Sequence, residues 1–418
     1  SFSGQTLPEL MYAKLREHHQ IVSTQANNYL TQMGVRKKKR VSKVRNVAII
    51  SPQILGMRHA PSREAFSLAL HLEHNFGCNA FIFNTNGFAY TNQMGLLDPH
   101  ISNIVEALKD AQVVKVDYMQ FKQQDVRLIN FDGGAMSTRK LANILDTLAQ
   151  LDIDAVIAHG ENSLIQESIY GMLPSIFATT GDVVPFAHSD AYFVPKHLFN
   201  ETHQRLAEEY KHTDDFLLES MLVTPEGKET GVVNKQDYGI ANESFVYLVV
   251  GMRLHLEMCD EFIALCERLI AHSSDIVIAF AGTRLLQLNT FFSEELIASS
   301  RVVQLGFQDL PKVSSMADVY LNPLRNGGGT SSQTAILNGL PIVTRDYGHI
   351  SAVVPEGLRH STWESYFTFA IALKNDSALY ENWQTQLETY FLEHLNTEQQ
   401  VAKIYHKLVE VSEQRYSA

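Results

Sequence analysis

The sequence predicts an α/β protein of two Rossmann-like, doubly wound domains facing a cleft, with an N-terminal helical extension and C-terminal helices. Three observations carry this. Short apolar runs alternate with helical stretches through most of the chain, the pattern of parallel sheets built from βαβ units. The alternation lapses once, in the polar stretch PEGKETGVVNKQDYGIAN at 225–242, and then resumes. The chain has 418 residues, 45% hydrophobic and 19% charged. That is enough for about two or three domains with full cores, and it excludes a disordered protein. The organisation expected is an N-terminal helix and basic linker over 1–45, a first domain over 46–235 and a second over 236–375. Helices over 376–418 would pack back across the domains.

Residues 8–32 read as helix, since they hold little glycine and no proline after Pro8. A basic linker follows. Val44–Ser51 is the first strand, centred on Val47–Ile50. After a loop with Pro52 and Gly56, Ala65, Leu68, Ala69, Leu72 and Phe76 recur at the spacing of one helical face, and Gly77 stops that helix. Strands at Asn79–Asn84 and Arg127–Phe131 come next, then a helix at Thr138–Leu151. A buried strand at Asp154–Ala158, a helix at Ser163–Met172 and a strand at Ser175–Thr179 complete the first series. The second series has strands at Phe245–Gly251, Asp275–Gly282, Val302–Leu305, Asp318–Pro323 and Pro341–Thr344. A helix carrying Phe262, Leu265, Cys266 and Leu269 on one face follows the first of these, and from about Thr362 the chain is mostly helical.

Net charge is −12, which disfavours a general nucleic-acid binder. Against that balance, Arg36, Lys37, Lys38, Lys39, Arg40, Lys43 and Arg45 crowd into ten positions. The run reads as a solvated linker, with contact to anionic lipid headgroups through residues 36–45 as the alternative. No apolar run reaches the ~20 residues of a membrane-spanning helix, and Ser1–Leu10 lacks the pattern of a signal peptide. Three cysteines, Cys78, Cys259 and Cys266, make no disulfide framework and fit a reducing cytoplasm. The location expected is therefore cytoplasmic, and peripheral at the inner face of the membrane if the basic run meets lipid.

The most informative segment is Asp318 to Gly348, DVYLNPLRNGGGTSSQTAILNGLPIVTRDYG. A strand runs into Gly327, Gly328 and Gly329, and Thr330, Ser331 and Ser332 open a helix. Glycines let backbone approach a ligand, and the free N–H groups at a helix start favour an anion. This chemistry holds a phosphate. It is not a P-loop, since no Gly-Lys-Ser/Thr follows, and it is not on the first βα turn of its domain, where a dinucleotide fingerprint belongs.

Asn322-Pro323, the loop Asn326 to Ser332 and Gly339-Leu340-Pro341-Ile342-Val343-Thr344 resemble the donor site of GT-B glycosyltransferases, especially the O-GlcNAc transferase-like and related bacterial enzymes. The resemblance implies a nucleotide-diphosphate sugar donor, UDP-linked, on the second domain and a glycan or protein acceptor on the first. No other cofactor is expected. Gly251-Met252-Arg253-Leu254 resembles the turn whose arginine meets the donor diphosphate, with one residue inserted; a guanidinium suits that group. Gly306 and Gln308 stand where related enzymes touch the base. Two departures are plain. The acidic residue that bonds the ribose is replaced by Thr334, beside Gln333, and Asn326 stands where retaining enzymes carry a glutamate. The absent carboxylate pair points to an inverting enzyme. The alternatives are a GT-B-fold UDP-sugar epimerase and a non-catalytic partner subunit of a transferase complex.

Inversion requires a base for the acceptor, and histidine suits the task. His59, His159 and His188 read as following strands, where ligands of α/β sheets bind. His188 is the first expectation as base, dried by Val183, Val184, Pro185 and Phe186 and oriented by Asp190. His159, Glu161 and His59 are the other candidates. Gly133-Gly134 reads as a cleft loop or a turn. Asp152-Ile153-Asp154 resembles a metal motif but precedes its strand, at the end away from ligands. No histidine or cysteine cluster has zinc spacing, so no metal site is expected.

Overall fold

The computed structural model describes residues 9–54, 59–87, 115–131, 136–160, 163–180, 187–195, 204–205, 208, 216–219, 227–282 and 286–417. Gly56, Gly133-Gly134, Glu161 and Val183–Phe186 lie outside the described residues. The chain forms two units, one of Ser1–Leu222 with Thr397–Ala418 and one of Val223–Asn396. Both are mixed α/β.

The strands of the first unit are β1 (Asn46–Ser51), β2 (Asn79–Asn84), β3 (Lys115–Phe121), β4 (Gln124–Asn130), β5 (Ala155–Gly160), β6 (Ser175–Thr179), β7 (Ala191–Pro195) and β8 (Phe216–Glu219). They form one sheet in the order β3-β4-β2-β1-β5-β6-β7-β8. Every pair is parallel except the β3–β4 hairpin. Side chains of a strand alternate between faces, and β1 follows the rule on a sheet buried on both sides. Val47 and Ile49 join a core with Ala65, Leu68 and Leu72 of the helix Ala60–Phe76 and with Val401, Ile404 and Leu408 of the helix Thr397–Val411. Ala48 and Ile50 join the opposite core with Ala26 and Leu30 of the helix Glu9–Gln32 and Ile144 and Leu145 of the helix Thr138–Gln150. Each large apolar side chain so buried contributes about 1.5–3 kcal/mol.

The basic run is not a freely solvated linker. The Arg36 guanidinium donates to the carbonyls of Ser168 (3.1 Å) and Tyr170 (2.7 Å). Lys39 Nζ bonds Asp152 Oδ1 at 2.6 Å and Asp154 Oδ1 at 3.0 Å. Asp154 Oδ2 in turn accepts from the N–H groups of Arg45 and Asn46. The Asp-Ile-Asp pair thus staples the linker to the amino end of β5. Lys37, Arg40, Lys43 and Arg45 remain exposed.

The second unit carries β9 (Phe245–Val250), β10 (Ile276–Ala281), β11 (Val302–Gly306), β12 (Val319–Leu321), β13 (Ile342–Arg345) and β14 (Arg359–His360). The order is β11-β10-β9-β12-β13-β14, all parallel. Tyr247, Val249, Ile278 and Phe280 pack with Phe262, Leu265, Cys266 and Leu269 of the helix Asp260–His272 and with Tyr366, Ala370 and Leu373 of the helix Trp363–Asn375. The Tyr247 hydroxyl donates to the Ala370 carbonyl at 2.8 Å, which fixes that helix on the sheet.

In each sheet the strand order reverses at one place, between β1 and β5 in the first unit and between β9 and β12 in the second. Ligands of open α/β sheets bind at the carboxyl ends of strands beside such a reversal. No described helix is long and apolar enough to cross a membrane.

Candidate functional site

The reversal in the second unit is flanked by the turn Gly251–Arg253 after β9 and the loop Asn322–Gly328 after β12. The helix Gly329–Leu337 opens directly from the loop, with Gly328 as its N-cap at φ +100°. Left-handed backbone is costly for residues with a Cβ. A Cβ at Gly328 would also stand 2.7 Å from Asn322 Oδ1. No side chain caps this helix, so its first N–H groups have no side-chain acceptor, and a helix start of this kind suits an anion. Thr330 and Ser331 are half-buried at the opening. Asn326 shapes the loop from behind, its carbonyl accepting from the His349 N–H at 2.8 Å.

Arg253 is 52% exposed and pairs with Glu257 at 3.2 Å. Its Nη2 lies 3.9 Å from where a Cβ on Gly327 would be, so it stands beside the loop. Sequence reasoning missed Arg325. This residue is 8% exposed and is bonded to Asn322, Glu257, Val250 and Tyr320. Gly306 ends β11 and Gln308 follows it, on the same edge but two strands from the reversal. The Gly306 carbonyl accepts from the Gly282 N–H at 2.7 Å, and Gln308 Nε2 donates to the Leu305 carbonyl at 2.6 Å. Gln333 and Thr334 are buried. Both amide atoms of Gln333 lack a hydrogen-bond partner. Met252, Leu256, Phe307, Leu324 and Tyr347 are exposed large apolar residues, and all follow strands on this edge.

The reversal in the first unit carries His59 and His159. His59 is the N-cap of the helix Ala60–Phe76, and its Nδ1 is 2.9 Å from Ser62 Oγ. Burial, then the neighbouring His159 and Arg63, push its pKa down to about 4, so the ring is neutral at pH 7. His159, the fifth residue of β5, is buried with Nε2 3.3 Å from Glu64 Oε2. Its Nδ1 has no hydrogen-bond partner. Glu64 is the second residue here that the sequence did not single out.

His188 lies elsewhere, which corrects the first expectation. It precedes β7, and Asp190, two residues on, bonds Ser175 at the start of β6. His188 therefore sits at the amino edge of the sheet, opposite the edge that binds ligands. Its Nδ1 is 2.9 Å from Glu167 Oε1, and its ring stacks on Tyr170. Burial opposes ionisation of Glu167, but the hydrogen bond and charge of His188 outweigh it and hold the carboxyl below its usual range. Asp190 does not orient His188. It fixes the C-terminal segment through Arg415 and Tyr416. Among the described residues no group of three metal-ligating side chains converges.

These two Rossmann-like units, with a glycine-rich loop at the strand reversal of the second, have the architecture of the GT-B fold. Solved structures of that fold match most of the chain. The O-GlcNAc transferase of Thermobaculum terrenum, solved as a mutant, aligns with TM-score 0.53 and 13% identity over 91% of this chain and 69% of that one. HepE of Anabaena, in complex with UDP, aligns with TM-score 0.58 and 11% identity over 87% of this chain and 99% of its own. The pneumococcal O-GlcNAc transferase GtfA, in complex with UDP and GlcNAc, aligns with TM-score 0.55 and 11% identity over 88% and 99%. No protein-family model matches the sequence, and no curated protein does.

Proposed function

We propose that the protein is a glycosyltransferase that moves a hexose or N-acetylhexosamine from a UDP-linked sugar to a glycan or protein acceptor. The observation that carries this is the uncapped helix behind Gly327–Gly329, with Arg253 beside it, at the strand reversal of the second unit. HepE and the pneumococcal enzyme, of the same fold, bind UDP. In this reading the N–H groups at the helix start, the hydroxyls of Thr330 and Ser331, and Arg253 hold the diphosphate. They also meet the charge that builds on it as the sugar departs, so no divalent metal is required.

The chemistry proposed is direct displacement with inversion. The acceptor oxygen or nitrogen bonds to the anomeric carbon, and the bond from that carbon to the diphosphate oxygen breaks. UDP leaves with the electron pair, and the acceptor's proton passes to a base. His59 is the base this reading selects. It lies on the ligand-binding edge, at the N-cap of its helix, and it is half-buried rather than sealed. In the tautomer whose Nδ1–H donates to Ser62, Nε2 is the atom that accepts the proton. The buried His159–Glu64 pair lies behind it. The exposed Lys37, Arg40, Lys43 and Arg45 are the part of the basic run left to meet anionic lipid.

One observation favours a second reading, a partner subunit that binds but does not turn over. The helix positions where related enzymes bond the ribose hold Gln333 and Thr334, and both are buried. A panel of nucleotide sugars, with UDP release followed with and without acceptors and with and without a chelator, separates the readings. Acceptor-dependent release that survives chelation supports the transferase. Interconversion of the free nucleotide sugar would identify an epimerase, and tight UDP binding with no turnover a partner subunit.

A further inference from the structure

Arg325 is buried, and every nitrogen of its guanidinium is engaged. Nε donates to Asn322 Oδ1 (2.9 Å) and Nη1 to Glu257 Oε2 (2.8 Å). Nη2 donates to the Val250 carbonyl (2.6 Å) and the Tyr320 hydroxyl (3.2 Å). One side chain therefore ties the end of β9 to the end of β12. Both glycine turns close on it. A Cβ at Gly251 would collide with Nη1, and one at Gly328 would lie 3.0 Å from Nη2. On one side the network continues from Tyr320 to Ser331 Oγ (2.8 Å), which also bonds the Gly328 carbonyl (3.1 Å). On the other side Glu257 spans two guanidinium groups, with Oε2 on Arg325 and Oε1 3.2 Å from Nη2 of the exposed Arg253.

We infer that Arg325 and Glu257 are positioning residues of the diphosphate site. Arg325 holds the loop and the turn at a fixed separation, and Glu257, anchored by Arg325, presents Arg253 to the phosphates. The inference rests on the reading of this loop as a diphosphate site. A carboxylate beside an anion site repels the ligand, and two arginines with one glutamate leave a single net positive charge. Charge and position therefore predict opposite signs. If Glu257 acts only by charge, Glu257→Gln tightens UDP binding. If it orients Arg253, the same change weakens it, because a flexible guanidinium loses its fixed bidentate geometry.

The test measures UDP and UMP affinity by calorimetry for the parent, Arg253→Ala, Glu257→Gln, the double variant and Arg325→Lys. The parent should prefer UDP to UMP by about tenfold or more. Each single change at 253 or 257 should remove most of that preference. The double variant should be no worse than either single variant, the non-additivity of residues acting as a unit. Arg325→Lys, which cannot form the same fork of bonds, should lose roughly 10–100-fold in UDP affinity. Tighter binding by Glu257→Gln, or single effects that multiply in the double variant, overturns the inference. So does a folded Arg325→Lys protein with parental affinity. If Arg325→Lys does not fold, the Arg253–Glu257 cycle decides. A parent that binds UDP and inorganic pyrophosphate but transfers no sugar removes the transferase reading and leaves this inference in place. A parent that binds neither removes both.

Discussion

Replacing Gly328 with alanine puts a methyl group where there is no room for one. The backbone has φ +100° and ψ −8°, and left-handed conformation costs a residue with a Cβ about 1–2 kcal/mol. The new carbon would lie 2.7 Å from Asn322 Oδ1, 3.0 Å from Arg325 Nη2 and 3.2 Å from Arg325 Nε. Asn322 is 1% exposed and cannot swing away, so the 2.9 Å bond from Arg325 Nε to its Oδ1 is what gives. Losing a charged hydrogen bond costs roughly 1.5–3 kcal/mol. The two effects together oppose the loop's conformation by about 2.5–5 kcal/mol. If the loop holds a diphosphate, UDP affinity should fall by a factor of roughly sixty or more, at ~1.4 kcal/mol per tenfold. Gly327→Ala is the control. Gly327 is not at positive φ, and its Cβ would meet only Arg253 Nη2, at 3.9 Å, so its stability should stay within about 0.5 kcal/mol of the parent. Calorimetry with UDP, alongside urea unfolding of each variant, gives both numbers. A folded Gly328→Ala protein with parental UDP affinity would refute the loop as the anion site.

His59→Gln should lower acceptor-dependent turnover by ~10²–10⁴-fold with UDP affinity unchanged; parental turnover would remove His59 from the chemistry. The same variant should be less acid-sensitive. His59 goes from 6.5 unfolded to about 4 folded, so between those values the unfolded chain binds the extra proton and stability falls with pH, by up to about 3 kcal/mol. Urea midpoints at pH 7 and pH 4.5 that shift equally in parent and variant would contradict this. Lys39→Met, which frees Asp152 and Asp154 from their shared cation, should cost about 1–2 kcal/mol after allowance for the exposed Asp152; an unchanged melting temperature would show that the staple carries no stability.

The sheets were legible because burial on both faces leaves unbroken apolar runs. Asn79–Asn84 and Ser175–Thr179 are strands over the full spans expected, and Gly77 ends its helix at φ +62°. The strand β3 was not legible. Its hairpin with β4 turns through Lys122 and Gln123, both at positive φ, where glycine or asparagine would have signalled the turn. The phosphate loop was visible because it needs only backbone, and glycine announces backbone. Arg325 and Glu64 were hidden because their partners are remote. Val250 is 75 positions from Arg325, and His159 is 95 from Glu64. His188 misled because a residue between two parallel strands can fall on either edge, and only the register of β6 with β7 decides which.

The segment Thr397–Tyr416 belongs to the first unit although the whole second unit is threaded before it. Synthesis therefore begins one domain, makes another, and then returns to finish the first. At ~5–20 residues per second the intervening stretch delays completion by roughly 10–35 s. During that time the surface over β1 and the helix Ala60–Phe76 that Val401, Ile404 and Leu408 will cover lies open to water. The second unit is uninterrupted and can close as soon as it leaves the ribosome. A stop codon at Thr397 would accordingly spare the domain nearest to it and injure the one encoded at the far end of the message.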